Sequence, residues 1–155
     1  DYAKRVPGTV FLEGVRPWSI PVDVALPCAT QNELDGKDAE TLVKNGVICV
    51  AEGANMPSTL EAVHVFEGNG ILYAPGKASN AGGVATSGLE MSQNSERRSW
   101  KEEELQQMLK DIMSGIHNSC IRYGDQGGGY IDYVKGANIA GFKKVADAML
   151  AFGVV

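Results

Sequence analysis

Residues 47–57 read Val47-Ile48-Cys49-Val50-Ala51-Glu52-Gly53-Ala54-Asn55-Met56-Pro57. An apolar run without alternation enters a turn of small residues and stops at proline. Such a run fits a strand buried on both faces of a parallel sheet. Similar runs lie on either side: Val10-Phe11-Leu12, then Val22-Asp23-Val24-Ala25-Leu26 stopped by Pro27, and later Ile71-Leu72-Tyr73-Ala74 stopped by Pro75-Gly76. Helical segments separate them. Asp38 to Asn45 places Leu42 and Val43 on one side, with Gly46 as C-cap. Pro57-Ser58-Thr59 opens Leu60 to Phe66, closed by Gly68. This β-α-β-α-β rhythm with short loops predicts a layered α/β fold, with a partial parallel sheet of three to four strands and crossover helices.

After Ala78 the pattern becomes helical. Gly83 to Arg98 reads as one helix and Lys101 to Tyr123 as a long second one. In the latter Leu105, Met108, Leu109, Ile112, Met113 and Ile116 form a stripe predicted to face a core. A glycine-rich loop over 124–129 leads to a last helix, Ile139 to Phe152, with Phe142, Val145, Ala146, Met149 and Leu150 on one side. The expected division is 1–98 for the sheet-bearing part and 99–155 for a C-terminal helical segment packing on it. The opening Asp1-Tyr2-Ala3-Lys4-Arg5 reads as the tail of a helix and suggests a piece of a longer protein.

Composition narrows the function. With 14 basic and 19 acidic residues the net charge is −5, which argues against a nucleic-acid partner. No apolar run approaches the ~18–20 residues of a membrane span. Cys28, Cys49 and Cys120 are odd in number and scattered, and no leader-like segment opens the chain, so a reducing, cytoplasmic setting is expected. Glycine is abundant, 19 of 155 residues, which predicts sharp turns or close backbone approaches.

Several chemical signatures are missing. There is no G-x-G-x-x-G. Gly70 and Gly76-Lys77 miss the P-loop spacing by one residue, and Ala78 stands where a Mg²⁺-binding hydroxyl would be required. His64 and His117 are far apart and no paired C-x-x-C occurs, so no metal site is expected. Cys28 has no supporting His/Asn arrangement and reads as a small buried thiol at a strand end.

Three segments follow the carboxyl ends of candidate strands, where ligands of open α/β sheets bind. They are Pro27-Cys28-Ala29-Thr30-Gln31-Asn32-Glu33, Ala51-Glu52-Gly53-Ala54-Asn55-Met56-Pro57, and residues 75–87 from Pro75 to Ser87. Small residues let a ligand approach the backbone, and Asn donates and accepts at once. On chemistry alone, a ligand crevice and a set of tight αL turns and helix N-caps explain these residues equally well.

In this order and spacing the first two of these segments, with Pro75 to Met91 and Asn138-Ile139-Ala140-Gly141-Phe142, closely resemble the hexameric glutamate dehydrogenases, especially the small-subunit, mainly NADP-using bacterial and fungal enzymes. The similarity covers essentially the whole chain and points to the C-terminal third of such an enzyme. The resemblance implies a Rossmann-like fold and reversible oxidative deamination of L-glutamate to 2-oxoglutarate and ammonium. It implies NADP as coenzyme, with NAD as the alternative, and a homohexameric parent. Ala29 and Thr30 are then expected along the coenzyme near its ribose and linking phosphates. Asn55 is expected near the nicotinamide ribose and the substrate α-carboxylate, and Asn80 near the nicotinamide carboxamide. Val84 and Ser87, one helical turn apart, are expected to face the substrate, with Ser87 holding its γ-carboxylate. A helix start at Gly82-Gly83 would offer N–H groups to an anionic diacid. The family's catalytic Lys and Asp lie upstream, so no catalytic residue is assigned, Lys77 and Glu52 are not promoted to those roles, and the chain alone is expected to be inactive. Lys77 reads instead as a loop cation, and Glu52 as a turn residue bonding backbone N–H groups. The rival reading is a stand-alone α/β module that binds a nucleotide or an amino acid. A blander one is a piece retaining only the fold, with apolar surface exposed.

Overall fold

The computed structural model describes residues 2–153. Its sheet has three parallel strands in the order β1 (Val24–Ala25), β2 (Cys49–Ala51) and β3 (Leu72–Ala74). Helix α2 (Gly36–Lys44) connects the first pair and α3 (Leu60–Gly68) the second, after a short helix α1 (Tyr2–Arg5) and a 3₁₀ turn at Pro17–Ser19. The expected β-α-β-α-β core is therefore present, and Tyr2–Arg5 is helical as read from the sequence. Asp1 lies outside the described residues.

Register decides which side chains are buried. Ala25, Val50 and Tyr73 stand side by side across the three strands. They meet Ala39 and Leu42 of α2 and Ala62 and Phe66 of α3 in one core, joined by Trp18, Leu34 and Val47. Phe66 and Tyr73 stack with ring centroids 5.7 Å apart, within the range preferred by aromatic pairs. The neighbouring row, Val24, Cys49 and Leu72, faces away. Val24 is 48% and Leu72 56% exposed, so the expected burial on both sheet faces holds only in part.

The helix ends follow from local chemistry. Asp35 caps α2 by accepting from the N–H groups of Lys37 and Asp38, both at 3.0 Å, while the Asp38 carboxylate accepts from the Asp35 N–H. Arg16 bridges Asp35 and Asp38. Hydrogen bonding to the Asp38 N–H and to Arg16 holds the Asp35 carboxyl below its ordinary range. Thr59 caps α3. Gly46 follows the C-cap of α2 with φ +88°, as glycine permits. At the end of α3 that part falls to Gly70, with φ +68°, rather than to Gly68, which is still helical.

Val10-Phe11-Leu12 is not a strand. Val10 and Phe11 are 78% and 75% exposed, and no strand among the described residues pairs with them. β-prone residues make a strand only where a neighbour supplies ladder hydrogen bonds, so the sheet has three strands, not four. The second half consists of α4 (Gly76–Ser79), α5 (Ala81–Glu96), α6 (Glu102–Gly124) and α7 (Tyr133–Phe152). The last helix starts six residues before the expected Ile139, because Asp132 caps it through the Lys135 N–H at 2.8 Å. On α6 the predicted stripe is half-buried at Leu105, Met108, Leu109, Met113 and Ile116, with Ile112 at its exposed edge. On α7 the predicted apolar side finds little cover: Phe142, Val145, Met149 and Leu150 are exposed and only Ala146 is half-buried. No helix of the described residues is long and apolar enough to cross a membrane.

Candidate functional site

The three loops that follow β1, β2 and β3 are hydrogen-bonded into one unit at the carboxyl edge of the sheet. The N–H groups of Gly53 and Ala54 donate to the Pro27 carbonyl at 2.9 and 3.1 Å, joining the first loop to the second. Farther along, the Asn32 N–H donates to Met56 and the Leu34 N–H to Pro57. Asn32 and Met56 both have positive φ. Gly53 lies close against Cys28: a Cβ there would lie 2.4 Å from the Cys28 sulfur as it stands, so a larger residue would require that exposed side chain to turn away.

Glu52 ties the second loop to the third. It is only 4% exposed. Its Oε1 accepts from the Tyr73 hydroxyl at 2.6 Å and the Ser58 N–H at 3.2 Å, and its Oε2 accepts from the Gly76 N–H at 2.6 Å. The Ser79 hydroxyl donates to the Glu52 carbonyl. Burial, then the bond to Glu52, push the Tyr73 phenol far above its ordinary pKa. Glu52 thus does what the sequence suggested, bonding backbone N–H groups, and Tyr73 and Gly76 are partners that sequence reasoning missed. The available signal was a lone acid at the end of an apolar run, which must find several donors once buried.

The expected site residues can now be placed. Asn80 is half-buried where α4 passes into α5, and its Nδ2 donates to the Ala54 carbonyl at 3.0 Å. Its Oδ1 accepts from no group among the described residues. Asn55 is exposed beside Ala54. Val84 and Ser87 follow Asn80 by four and seven residues along α5, hence on one helix face. Both are exposed, and the Ser87 hydroxyl donates to the Gly83 carbonyl at 3.2 Å. Asn80, Val84 and Ser87 therefore line one side of α5, and the bond from Asn80 to Ala54 brings the second loop against its start. Ala29 and Thr30 are exposed in the first loop, but their N–H groups already donate to the Glu33 carboxylate at 2.8 and 3.2 Å.

Three expectations need correction. Cys28 is exposed rather than buried, because only one side of its thiol meets Gly53. The Gly82-Gly83 stretch is not an open helix start, because α4 and α5 are nearly continuous and the Gly83 N–H donates to the Asn80 carbonyl. Lys77 is not a loose loop cation: its ammonium donates to the Asn138 side chain of α7. No metal-binding group of three His, Cys, Asp or Glu occurs among the described residues.

A parallel sheet with crossover helices, and small-residue loops joined at its carboxyl edge, define the class as a Rossmann-like α/β protein. Its arrangement is shared by solved structures: glutamate dehydrogenase 2 of Plasmodium falciparum superposes with a TM-score of 0.90 at 46% identity, over 98% of this chain and 33% of that one. The chain belongs to the Glutamate/Leucine/Phenylalanine/Valine dehydrogenase family, whose model matches residues 1–153. It is 61% identical over its whole length to the NADP-specific glutamate dehydrogenase of Escherichia coli. It is 56% identical over 154 residues to the NAD-specific glutamate dehydrogenase of Bacteroides fragilis. The chain spans about a third of the length of these relatives, 34% and 35%.

Proposed function

We propose that this chain is the C-terminal portion of a glutamate dehydrogenase, one that carries out reversible oxidative deamination of L-glutamate to 2-oxoglutarate and ammonium with NADP. The preference for NADP over NAD rests on the small-subunit resemblance and the higher identity to an NADP-specific relative. The loop cluster suits a nicotinamide coenzyme in its chemistry. Small residues at 29, 53 and 54 leave the surface open, and Asn55 and Asn80 offer neutral amides that can both donate and accept. When bound, the coenzyme supplies the hydride acceptor for the α-carbon of glutamate.

The residues here bind and orient. Ala29 and Thr30 flank the coenzyme through surface and side chain, since their amides are committed to Glu33. Asn55 lies by the nicotinamide ribose and the substrate α-carboxylate. Asn80, its Nδ2 committed to Ala54, receives the carboxamide N–H at Oδ1. Val84 packs on the substrate chain and Ser87 donates to its γ-carboxylate after releasing the Gly83 carbonyl. Holding both ligands in near-attack contact is the contribution of this wall, and the opposite wall belongs to the rest of the protein. Residues 1–98 are the later part of the dinucleotide-binding domain and supply this chain's own wall, and 99–155 are the C-terminal helical segment that packs on it. A cytoplasmic setting is consistent with three unpaired cysteines, and the full protein is proposed to be a homohexamer.

The carrying observation is the hydrogen bond from Asn80 to Ala54, which ties the second loop to the start of α5 and supports reading Asn55, Asn80, Val84 and Ser87 as one binding wall. In the full-length protein, Ser87→Ala removes a hydrogen bond to a charged group, about 1.5 kcal/mol or more. The KM for glutamate should rise about tenfold or more, with the coenzyme KM nearly constant. An unchanged glutamate KM removes Ser87 from the site.

A further inference from the structure

Glu52 is the only buried acidic or basic side chain among the described residues, and the proposed reaction gives it no chemical step. Three donors surround its carboxylate: the Tyr73 hydroxyl, the Ser58 N–H and the Gly76 N–H. An oxygen pair so occupied and so buried cannot reach a substrate as a base. It can, however, locate α4. That helix has a single turn, begins at the Gly76 N–H bonded to Glu52, and ends at Asn80. Ser79, one residue before Asn80, is strapped to the carbonyl of the same glutamate.

Gly76 shows how tightly these groups converge. A Cβ there would meet the Ala54 carbonyl oxygen at 3.0 Å, Glu52 Oε2 at 3.1 Å and Asn80 Nδ2 at 3.4 Å. No slack separates the carboxylate from the asparagine amide across this glycine. We propose that Glu52 is a positioning residue: its buried carboxylate clamps the start of α4 to the second loop and so sets where Asn80 presents its unoccupied Oδ1. This rests on the reading of Asn80 as a coenzyme contact.

The test uses steady-state kinetics of the full-length protein in four forms: unaltered, Glu52→Gln, Asn80→Ala, and the double variant. Glutamine keeps one oxygen for the Gly76 N–H and turns its NH₂ to the Tyr73 oxygen, reversing that bond and leaving the Ser58 N–H without an acceptor, with no cavity formed. Glu52→Gln should lower kcat about tenfold, as a misplaced contact does, with the glutamate KM within about twofold. In the Asn80→Ala background the same change should lower kcat less than about twofold, because the residue it acts through is gone. Equal losses in both backgrounds, or a folded Glu52→Gln with unaltered kinetics, overturn the proposal while leaving the site reading intact. An Asn80→Ala variant with unaltered kcat and coenzyme KM overturns the site reading and the proposal with it. If Glu52→Gln does not fold, Tyr73→Phe, which removes one donor from the carboxylate, replaces it in the cycle with the same pattern expected and the same pattern refuting.

Discussion

Gly136 sits where α6 and α7 come closest. A Cβ built on it would lie 2.1 Å from the Cys120 carbonyl oxygen and 3.0 Å from the Cys120 Cα. These are backbone atoms of α6, so no side-chain rotation relieves them. Ordinary carbon–oxygen contacts lie near ~3.3 Å. Gly136→Ala therefore forces the helices apart by about 1 Å. Overpacking of this kind costs about 1–3 kcal/mol, and a backbone clash belongs at the upper end. Alanine returns about 1 kcal/mol through helix propensity. The net loss of about 2 kcal/mol lowers Tm by roughly 4–8 °C for a chain of this size. Gly141 on the same helix is the control, since a Cβ there meets nothing within 4 Å, and Gly141→Ala should raise Tm by about 1–4 °C. Thermal unfolding followed by far-ultraviolet circular dichroism reads both. If Gly136→Ala melts at or above the unaltered chain, the close crossing of α6 and α7 is wrong, and with it the placement of Asn138 against Lys77.

Two further outcomes follow from the site. Tyr73 is the buried one of five tyrosines, and burial and Glu52 both disfavour its phenolate. Its folded pKa exceeds the unfolded value of ~10, so the stability it contributes is whole below that pH and falls as pH climbs beyond it. An absorbance titration should show one phenol ionising only with unfolding, a step absent in Tyr73→Phe; a reversible ionisation of all five before unfolding would contradict the burial. Lys77→Met should leave kcat and both KM values of the full-length protein within about twofold, because its ammonium serves Asn138 and an exposed polar contact is worth little. A loss of tenfold or more would make Lys77 a participant in the reaction.

What was legible in the sequence was local. The strand at Cys49–Ala51 and the helices around it were readable because an apolar run, the Pro57-Ser58-Thr59 helix start and Gly46 as a left-handed stop all act within a few residues, whereas the Asp35 cap, which starts α2 at Gly36 rather than at the expected Asp38, went unread. Val10-Phe11-Leu12 misled because strand formation depends on a distant partner, which local β-propensity does not reveal. The start of α7 was hidden by β-prone Tyr130 to Val134 and by Gly136, a poor helix former kept there by the contact with Cys120. The stripe on α6 and the exposed side of α7 have the same spacing pattern, yet only the first is covered. Periodicity names a face and not its partner. At the site, the loops were found from residue type and from likeness to the family. That Glu33 takes the amides of Ala29 and Thr30, or that Tyr73 reaches Glu52, depends on three-dimensional approach across 21 positions in the latter case.

The distribution of polar groups says what kind of work this wall can do. Within the loop cluster the charged side chains Glu52, Glu33 and Lys77 are committed, to three donors, to two amides and to Asn138, while the Cys28 thiol is exposed. Using either carboxylate for proton transfer would leave N–H groups unpaired, at a cost of about 1–3 kcal/mol for each buried one. The groups proposed to meet the ligands, Asn55, the Asn80 oxygen and the Ser87 hydroxyl, are uncharged amides and a hydroxyl. Such groups hold and orient a ligand but neither take up nor release a proton in turnover. Oxidation of an amino group to a carbonyl requires proton transfers. For the proposed dehydrogenase reaction, the acid–base groups that perform them therefore lie outside Asn55, Asn80 and Ser87, and the pH dependence of kcat should belong to those other groups.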